Sequence, residues 1–118
     1  MKTIMVVDDA PFMRQRCSQI LTQNGYQVVE ATTGIEAVAK YKEIKPAGVL
    51  LDIKMPEMDG LKALKELIEF DPNARISMVT VMGQQSTVIE CLKLGARDFV
   101  VKPFDAARIL AAVGKILS

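Results

Sequence analysis

Five short apolar segments, separated by stretches with helical spacing, constrain the fold of this chain more than any other feature. The segments cover about residues 3–7, 27–31, 48–52, 76–80 and 98–101. They lack the strict alternation of a half-exposed strand, and continuous apolar runs are typical of strands that are buried on both faces. The sequence therefore predicts five strands inside an α/β fold.

The stretches between the apolar segments carry the start signals of helices. Thr33, Asp59 and Asp105 stand where helices are predicted to begin, and their side chains can accept hydrogen bonds from free backbone N–H groups. Glu36 follows Thr33 at the spacing of a capping box. The predicted helices cover about residues 11–24, 34–44, 60–70, 84–94 and 106 to near the C-terminus.

The alternation of strands and helices predicts a (βα)5 three-layer sandwich, with a parallel five-stranded sheet between two layers of helices. The length of 118 residues predicts a single domain over residues 1–118. Right-handed crossovers limit the topologies, and we expect the flavodoxin-like strand order 2-1-3-4-5. In this order a crevice opens between strands 1 and 3 at their carboxyl ends.

Charge and composition exclude several classes of function. The chain has 15 basic and 14 acidic residues, so its net charge of +1 gives no electrostatic reason to bind nucleic acid or a membrane surface. No apolar run approaches the roughly 20 residues that a bilayer requires, and the first apolar segment is too short for a signal peptide. We therefore expect a soluble cytoplasmic protein without membrane insertion.

The absence of histidine excludes further chemistry. Without an imidazole there is no Ser-His-Asp triad, no Cys-His nucleophile and no histidine-ligated metal site. The chain also cannot carry a phosphoryl group on a histidine of its own. Cys17 and Cys91 lie far apart in helical patterns, and no CxxC motif is present, so they are predicted to be buried reduced thiols.

Polar side chains stand at the ends of four predicted strands: Asp8 and Asp9 on strand 1, Asp52 on strand 3, Thr80 on strand 4 and Lys102 on strand 5. The carboxyl ends of parallel strands lie at one edge of a sheet, so these side chains are predicted to converge on the crevice. Singly, each has an ordinary alternative: a helix cap for an acid of the pair, a turn for Asp52, strand propensity for Thr80 and a surface position for Lys102. Their joint placement favours a functional site.

Three carboxylates in one crevice repel one another and raise one another's pKa values. A hard cation relieves this repulsion, and Mg²⁺ prefers oxygen ligands. An aspartate near Mg²⁺ and beside a lysine ammonium is suited to accept a phosphoryl group, because both cations neutralise the phosphoryl oxygens. The pattern therefore favours phosphoryl transfer to a carboxylate, from a donor outside this chain.

The strand ends and the segments that follow them resemble the response-regulator receiver family over essentially the whole chain. The resemblance rests on residues 6–9, 51–60, 79–80 and 101–104, which read VVDD, LDIKMPEMDG, VT and VKPF. Residues 12–14 and 82–85, which read FMR and MGQQ, are more particularly similar to stand-alone chemotaxis regulators of that family.

The resemblance implies a role for each acidic residue. Asp52 would accept a phosphoryl group from a phosphohistidine on a sensor histidine kinase. Asp8 and Asp9 would hold Mg²⁺, Asp9 more directly, together with the Asp52 carboxylate and the backbone carbonyl of Lys54. The phosphorylated chain would be a signalling switch that slowly loses its phosphoryl group, and not a dedicated enzyme.

The resemblance also implies how the switch operates. Lys102 would pair first with Asp52 and then with the phosphoryl group, and the Lys102–Pro103 bond would be cis. The Thr80 hydroxyl would donate to a phosphoryl oxygen, and Phe99, at an aromatic switch position, would turn inward as Thr80 moves. A phosphoryl group adds about −1.5 to −2 charges, which would shift the population between two arrangements of this region.

The output surface implied by the resemblance is the face of the fourth helix, fifth strand and fifth helix. Alanines on the fifth helix would permit close docking of a partner, although alanine is also a good helix former: Ala106, Ala107, Ala111 and Ala112. The expected partners are the kinase, a downstream target such as the flagellar motor switch, and a phosphatase. The chain itself is expected to be a monomer.

Four residues depart from the usual pattern of the family. Val81 stands where a small residue is common, so we expect it to narrow access to Asp52. Lys54 and Met82 occupy positions that tune the lifetime of the phosphoryl group, and they lack the acid or amide that orients a water, which predicts slow dephosphorylation. Phe99 replaces a common tyrosine and cannot donate a hydrogen bond.

Other classes fit the residues less well. An aspartyl-phosphate hydrolase has its nucleophile in a DxD pattern after the first strand and needs a cap or a longer chain. A flavodoxin-type carrier needs a phosphate-binding loop where this chain has two aspartates that repel phosphate. A receiver of another two-component pathway or phosphorelay, a receiver cut from a longer regulator, and a non-phosphorylated scaffold remain alternatives.

Overall fold

The computed structural model describes residues 2–55, 58–81 and 85–118, and within them five strands alternate with five helices. The elements are β1 Thr3–Val7, α1 Pro11–Gln23, β2 Gln27–Ala31, α2 Gly34–Ile44, β3 Gly48–Asp52, α3 Gly60–Phe70, β4 Ile76–Val81, α4 Gln85–Leu94, β5 Asp98–Lys102 and α5 Ala106–Leu117. The predicted bounds differ from these by a residue at most. Residue 84, the predicted start of the fourth helix, lies outside the described residues.

The strands pair in parallel in the order β2-β1-β3-β4-β5, so the predicted fold class and strand order are confirmed. Val7 pairs with Leu51, and the residues that follow them, Asp8 and Asp52, are therefore neighbours at the carboxyl edge. Val81 pairs with Lys102 at the same edge. Register alone thus brings the polar strand ends together.

Two apolar clusters, one on each face of the sheet, make the structure a three-layer sandwich. Alternate residues of β1 point to opposite faces: Met5 joins the cluster with α2, α3 and α4, and Ile4 joins the cluster with α1 and α5. Cys17 and Cys91 are free and buried in these two clusters, and burial raises the pKa of each thiol to about 11. Both thiols therefore stay protonated at neutral pH.

Helix caps follow the sequence signals with one difference. The Asp59 carboxylate accepts from the Lys62 N–H at 2.9 Å, and the Asp105 carboxylate accepts from the Arg108 N–H at 2.8 Å. The Thr33 hydroxyl accepts from the Glu36 N–H at 3.1 Å. The Glu36 carboxylate, however, accepts from the N–H of Thr32, the residue before the cap, at 3.0 Å.

No helix in the described part of the chain combines the length and the apolar character that crossing a membrane requires.

Candidate functional site

The carboxyl edge of the sheet brings the three predicted acids together. Asp8, Asp9 and Asp52 each offer a carboxylate oxygen, and these oxygens lie within 4.8 Å of one another. Asp8 and Asp52 are buried, whereas Asp9 is exposed. Carboxylates held this close repel one another, so their arrangement favours a bound cation.

Asp8 is held from several directions. Its N–H donates to the Ala31 carbonyl at 3.1 Å, and its carboxylate accepts from the Ala10 N–H at 2.9 Å and from Lys102 Nζ at 3.0 Å. The residue at the cap position of α1 is Ala10, without a side-chain cap hydrogen bond. Asp8 therefore orders the loop before α1 and does not cap the helix.

Lys102 links the two buried acids. Its Nζ lies 3.0 Å from Asp8 Oδ2 and 3.4 Å from Asp52 Oδ2, and its side chain is 16% exposed. Burial alone lowers the pKa of this lysine, but the hydrogen bond to Asp8 and the charges of both acids outweigh burial and raise the pKa. Lys102 is thus a half-buried ammonium that pairs with both acids, unlike a free surface lysine.

The pKa of Asp52 is raised from 3.8 to about 6. Burial is the largest cause, and the negative charge of Asp8 adds to it, while Lys102 opposes both. The carboxylate is still mostly ionised at neutral pH, so it is a competent nucleophile. Lys102 therefore offsets only part of the combined effect of burial and the Asp8 charge.

A cavity of about 190 Å³ gives access to Asp52, and it is lined by Asp52, Ile53, Lys54, Thr80, Val81 and Lys102. Thr80 is buried, and its hydroxyl donates to the Val81 carbonyl at 3.2 Å. Val81 is 46% exposed and Lys54 is exposed. The side chains of Lys54 and Val81 therefore border the solvent beside the cavity that Asp52 lines. Met82 lies outside the described residues.

Gly60, which the sequence reasoning did not assign to the site, supports the Asp52 backbone. A Cβ at this position would overlap the carbonyl group of Asp52, so only glycine permits the approach of α3. The Gly60 N–H donates to the Ile53 carbonyl at 2.6 Å. The Asp-Gly pair before an apolar helix was the available signal, since it marks a close backbone approach.

On the face of β5 and α5, Phe99 is 36% exposed, and its carbonyl accepts from the Arg108 guanidinium. A second cavity of about 450 Å³ lies beside it, lined by Phe99, Val101, Pro103, Phe104, Asp105 and Arg108. The Lys102–Pro103 bond is cis, as expected.

The prediction that four alanines of α5 face a docking partner was wrong for Ala112, which is buried in the stripe of α5 that packs on the sheet. The other three alanines, Ala106, Ala107 and Ala111, are exposed.

Comparisons with known proteins agree with this geometry. The family model for the response regulator receiver domain matches residues 4–114. The chain is 53% identical to the chemotaxis protein CheY of Thermotoga maritima over 116 residues, which cover 98% of this chain and 97% of that protein. It is 54% identical to CheY of Bacillus subtilis, with the same coverage.

Solved structures give the same result. A chain in the CheX–CheY–BeF3–Mg²⁺ complex from Borrelia burgdorferi matches with a TM-score of 0.94 and 39% identity, covering 99% of this chain and 90% of that chain. A receiver domain protein from Clostridium thermocellum matches with a TM-score of 0.94 at 25% identity. The fold is therefore shared with proteins of one family.

Proposed function

Because the chain belongs to the response regulator receiver family, we propose that it is a chemotaxis signalling switch that accepts a phosphoryl group on Asp52. A receiver of this kind is a phosphorylation-activated signalling domain and not a dedicated enzyme. One observation carries the assignment to Asp52: its carboxylate lines a cavity, 3.4 Å from Lys102 Nζ and within 4.8 Å of carboxylate oxygens of Asp8 and Asp9.

The donor set fits Mg²⁺. Asp8, Asp9 and Asp52 supply hard oxygen ligands, and among the described residues Lys102 is the cation that pairs with their carboxylates, so the cluster keeps a net negative charge when ionised. We assign the Lys54 backbone carbonyl as a further ligand. When bound, Mg²⁺ supplies positive charge that neutralises the phosphoryl oxygens during transfer.

The transfer itself is a displacement at phosphorus. An ionised oxygen of Asp52 forms the new O–P bond while the P–N bond of the kinase phosphohistidine breaks, and the imidazole leaves with the electron pair and takes a proton from solvent. Lys102 then moves its ammonium contact from the carboxylate to a phosphoryl oxygen. Positioning and charge neutralisation supply most of the rate in such a reaction.

The end of β4 responds to the added charge of the phosphoryl group. The Thr80 hydroxyl leaves the Val81 carbonyl, 3.2 Å away, and donates to a phosphoryl oxygen. Phe99, which is partly exposed in this state, turns inward into the space that Thr80 vacates. Phosphorylation thereby favours one of two arrangements of the face formed by α4, β5 and α5, and this face binds the output partner.

The role of a chemotaxis receiver phosphorylated on Asp52 implies three kinds of protein partner. A sensor histidine kinase is the donor, a protein of the flagellar motor switch is the output target, and a phosphatase resets the switch. The match to a chain solved together with CheX supports recognition by other proteins of the pathway. We assign the chain a monomeric state.

A paired pull-down tests the switch. The chain loaded with beryllium fluoride and Mg²⁺ is expected to retain an output partner from a lysate of the source cells, and the Asp52→Asn chain under the same conditions is not, because it lacks the phosphoacceptor carboxylate. Mass spectrometry identifies the partner. Equal recovery on both baits counts against phosphorylation as the signal.

Val81→Ala is expected to raise the rate of phosphorylation by a small donor several-fold. Val81 lines the cavity that leads to Asp52, and shortening its side chain widens the entrance. The rate is measured by intact-protein mass spectrometry at limiting donor concentration. Val29→Ala, the same change on the edge strand β2, is the control, and an unchanged rate for Val81→Ala refutes the access hypothesis.

The double variant Lys54→Asn, Met82→Glu is expected to shorten the lifetime of the phosphorylated state. An amide and a carboxylate at these positions can orient a water for attack on phosphorus, which the native lysine and methionine cannot. The lifetime is followed as the loss of the phosphorylated species after the donor is removed. A lifetime equal to that of the native chain contradicts the tuning role of the pair.

A further inference from the structure

We propose that Arg14 and Glu30 are positioning residues for the acidic pair, and that they set the direction in which Asp9 presents its carboxylate to a divalent cation. The proposal rests on the Mg²⁺ site of the proposed function and extends it to two residues outside the crevice. Its basis is a chain of contacts that runs from β2 through α1 to the peptide between Asp8 and Asp9.

Arg14 contacts both Glu30 on β2 and the backbone of Asp8. Its Nη1 donates to the backbone carbonyl of Asp8 at 2.9 Å, and its Nε donates to Glu30 Oε1 at 2.7 Å. The side chain is 14% exposed, so the guanidinium is largely withdrawn from water. A planar guanidinium that binds two acceptors at once is held in a fixed orientation.

Glu30 is itself held in place by two further hydrogen bonds. Its second carboxylate oxygen accepts from the Ser18 hydroxyl at 3.0 Å, and its backbone carbonyl accepts from Lys40 Nζ at 2.5 Å. The next residue, Ala31, accepts the N–H of Asp8 at 3.1 Å. The end of β2 therefore holds Asp8 on both sides of its Cα, directly at the N–H and through Arg14 at the carbonyl.

This arrangement matters because the peptide bond is planar. The Asp8 carbonyl and the Asp9 N–H belong to one peptide plane, so a fixed carbonyl fixes the plane from which the Asp9 side chain departs. Asp9 is exposed, and its carboxylate has no hydrogen bond or ion pair with any residue that the structure describes. The backbone is therefore the source of its direction.

An effect of the Arg14 charge and a positioning role of Arg14 predict opposite changes in the affinity for Mg²⁺ when this residue is replaced. Arg14 places a positive charge beside the acidic loop, and a nearby cation weakens the binding of another cation. If Arg14 acted only through its charge, its removal would tighten Mg²⁺ binding. If Arg14 positions the acidic pair, its removal loosens the ligand geometry and weakens binding.

The test compares Arg14→Gln with Arg16→Gln in the unphosphorylated full chain. Arg16 lies on the same helix and contacts the Phe104 carbonyl at 3.1 Å, so its variant loses the same charge without touching the acidic loop. The Kd for Mg²⁺ is measured by calorimetry, and backbone amide resonances are recorded by NMR without metal. Arg14→Gln is expected to raise the Kd about tenfold, and Arg16→Gln to leave it within about twofold.

A second variant keeps the proposal testable should Arg14→Gln fold poorly. Glu30→Gln is expected to raise the Kd by a smaller factor, and adding it to Arg14→Gln is expected to change little more, since both act through one contact chain. In both variants the Asp9 amide resonance moves in the metal-free spectrum. An unchanged or lower Kd for Arg14→Gln overturns the proposal.

The metal-free spectra separate this proposal from the proposed function. If the native chain binds no Mg²⁺, the proposed metal site fails, and the amide resonances then decide the positioning role. An Asp9 resonance that stays in place in Arg14→Gln and Glu30→Gln overturns that role, and a displaced one supports it.

Discussion

Replacing Asp52 with asparagine is expected to reduce phosphoryl incorporation from a small donor by at least about a thousandfold. The carboxylate supplies the attacking oxygen, and an amide oxygen is a far weaker nucleophile. Asp8 does not substitute for it, because its carboxylate is occupied by the Ala10 N–H and by Lys102. The rate is measured as the appearance of the singly phosphorylated mass with saturating Mg²⁺.

Asp71→Asn is the matched control for this loss. Asp71 follows α3 at the opposite edge of the sheet, where its carboxylate accepts from the Tyr41 hydroxyl at 2.8 Å. The variant is expected to phosphorylate at the native rate. Native-level incorporation in Asp52→Asn, with the control unchanged, contradicts the assignment of the phosphoacceptor.

Lys102→Met is expected to lower the free energy of unfolding by about 3 kcal/mol near neutral pH. The substitution leaves Asp8 and Asp52 buried beside each other without the ammonium that contacts both of them. Methionine keeps much of the aliphatic volume, so the loss reports the charge. Denaturant unfolding at about pH 7.5 and about pH 4.5 in metal-free buffer measures it.

The pH dependence of this loss has a defined sign. The folded-state pKa of Asp52 is about 6 and its ordinary value is 3.8, so the folded chain binds the proton more tightly and its stability falls as pH rises from about 4 to about 6. Removing Lys102 raises this pKa further, which extends the fall above pH 6. The loss in Lys102→Met is therefore small at acidic pH and large near neutrality.

Lys115→Met controls for the loss of a lysine. Lys115 contacts the Asp98 carboxylate at 3.4 Å, but its side chain is 64% exposed, and Arg108 contacts the same carboxylate at 3.5 Å. Water screens an exposed pair, so this variant is expected to lose less than about 1 kcal/mol at either pH. Equal losses for the two variants, or a loss in Lys102→Met that does not vary with pH, contradict the buried-charge account.

The strand order and the convergence of the acids could be predicted because they depend on backbone topology. Apolar runs mark the strands, parallel pairing places all carboxyl ends at one edge, and Asp8 and Asp52 then lie on neighbouring strands. Side-chain identity at a strand end is enough for this step, since no rotamer is involved.

Features that depend on side-chain direction could not be predicted in the same way. The Thr80 hydroxyl donates to its neighbour's carbonyl, and Ala112 faces the sheet because it lies in the apolar stripe of α5. The contact of Arg14 with Glu30 joins residues on a helix and a strand through the angle at which α1 packs, which no local spacing encodes. These details depend on tertiary packing.

Phosphorylation at Asp52 is tested most directly by locating the phosphoryl group. The native chain is incubated with a small phosphodonor and Mg²⁺, reduced with borohydride so that the aspartyl phosphate becomes homoserine, and mapped by peptide mass spectrometry, with a parallel sample in excess chelator. We expect modification at Asp52 alone, and none in the chelated sample. Modification at Asp8 or Asp9, or equal modification without divalent metal, would contradict it.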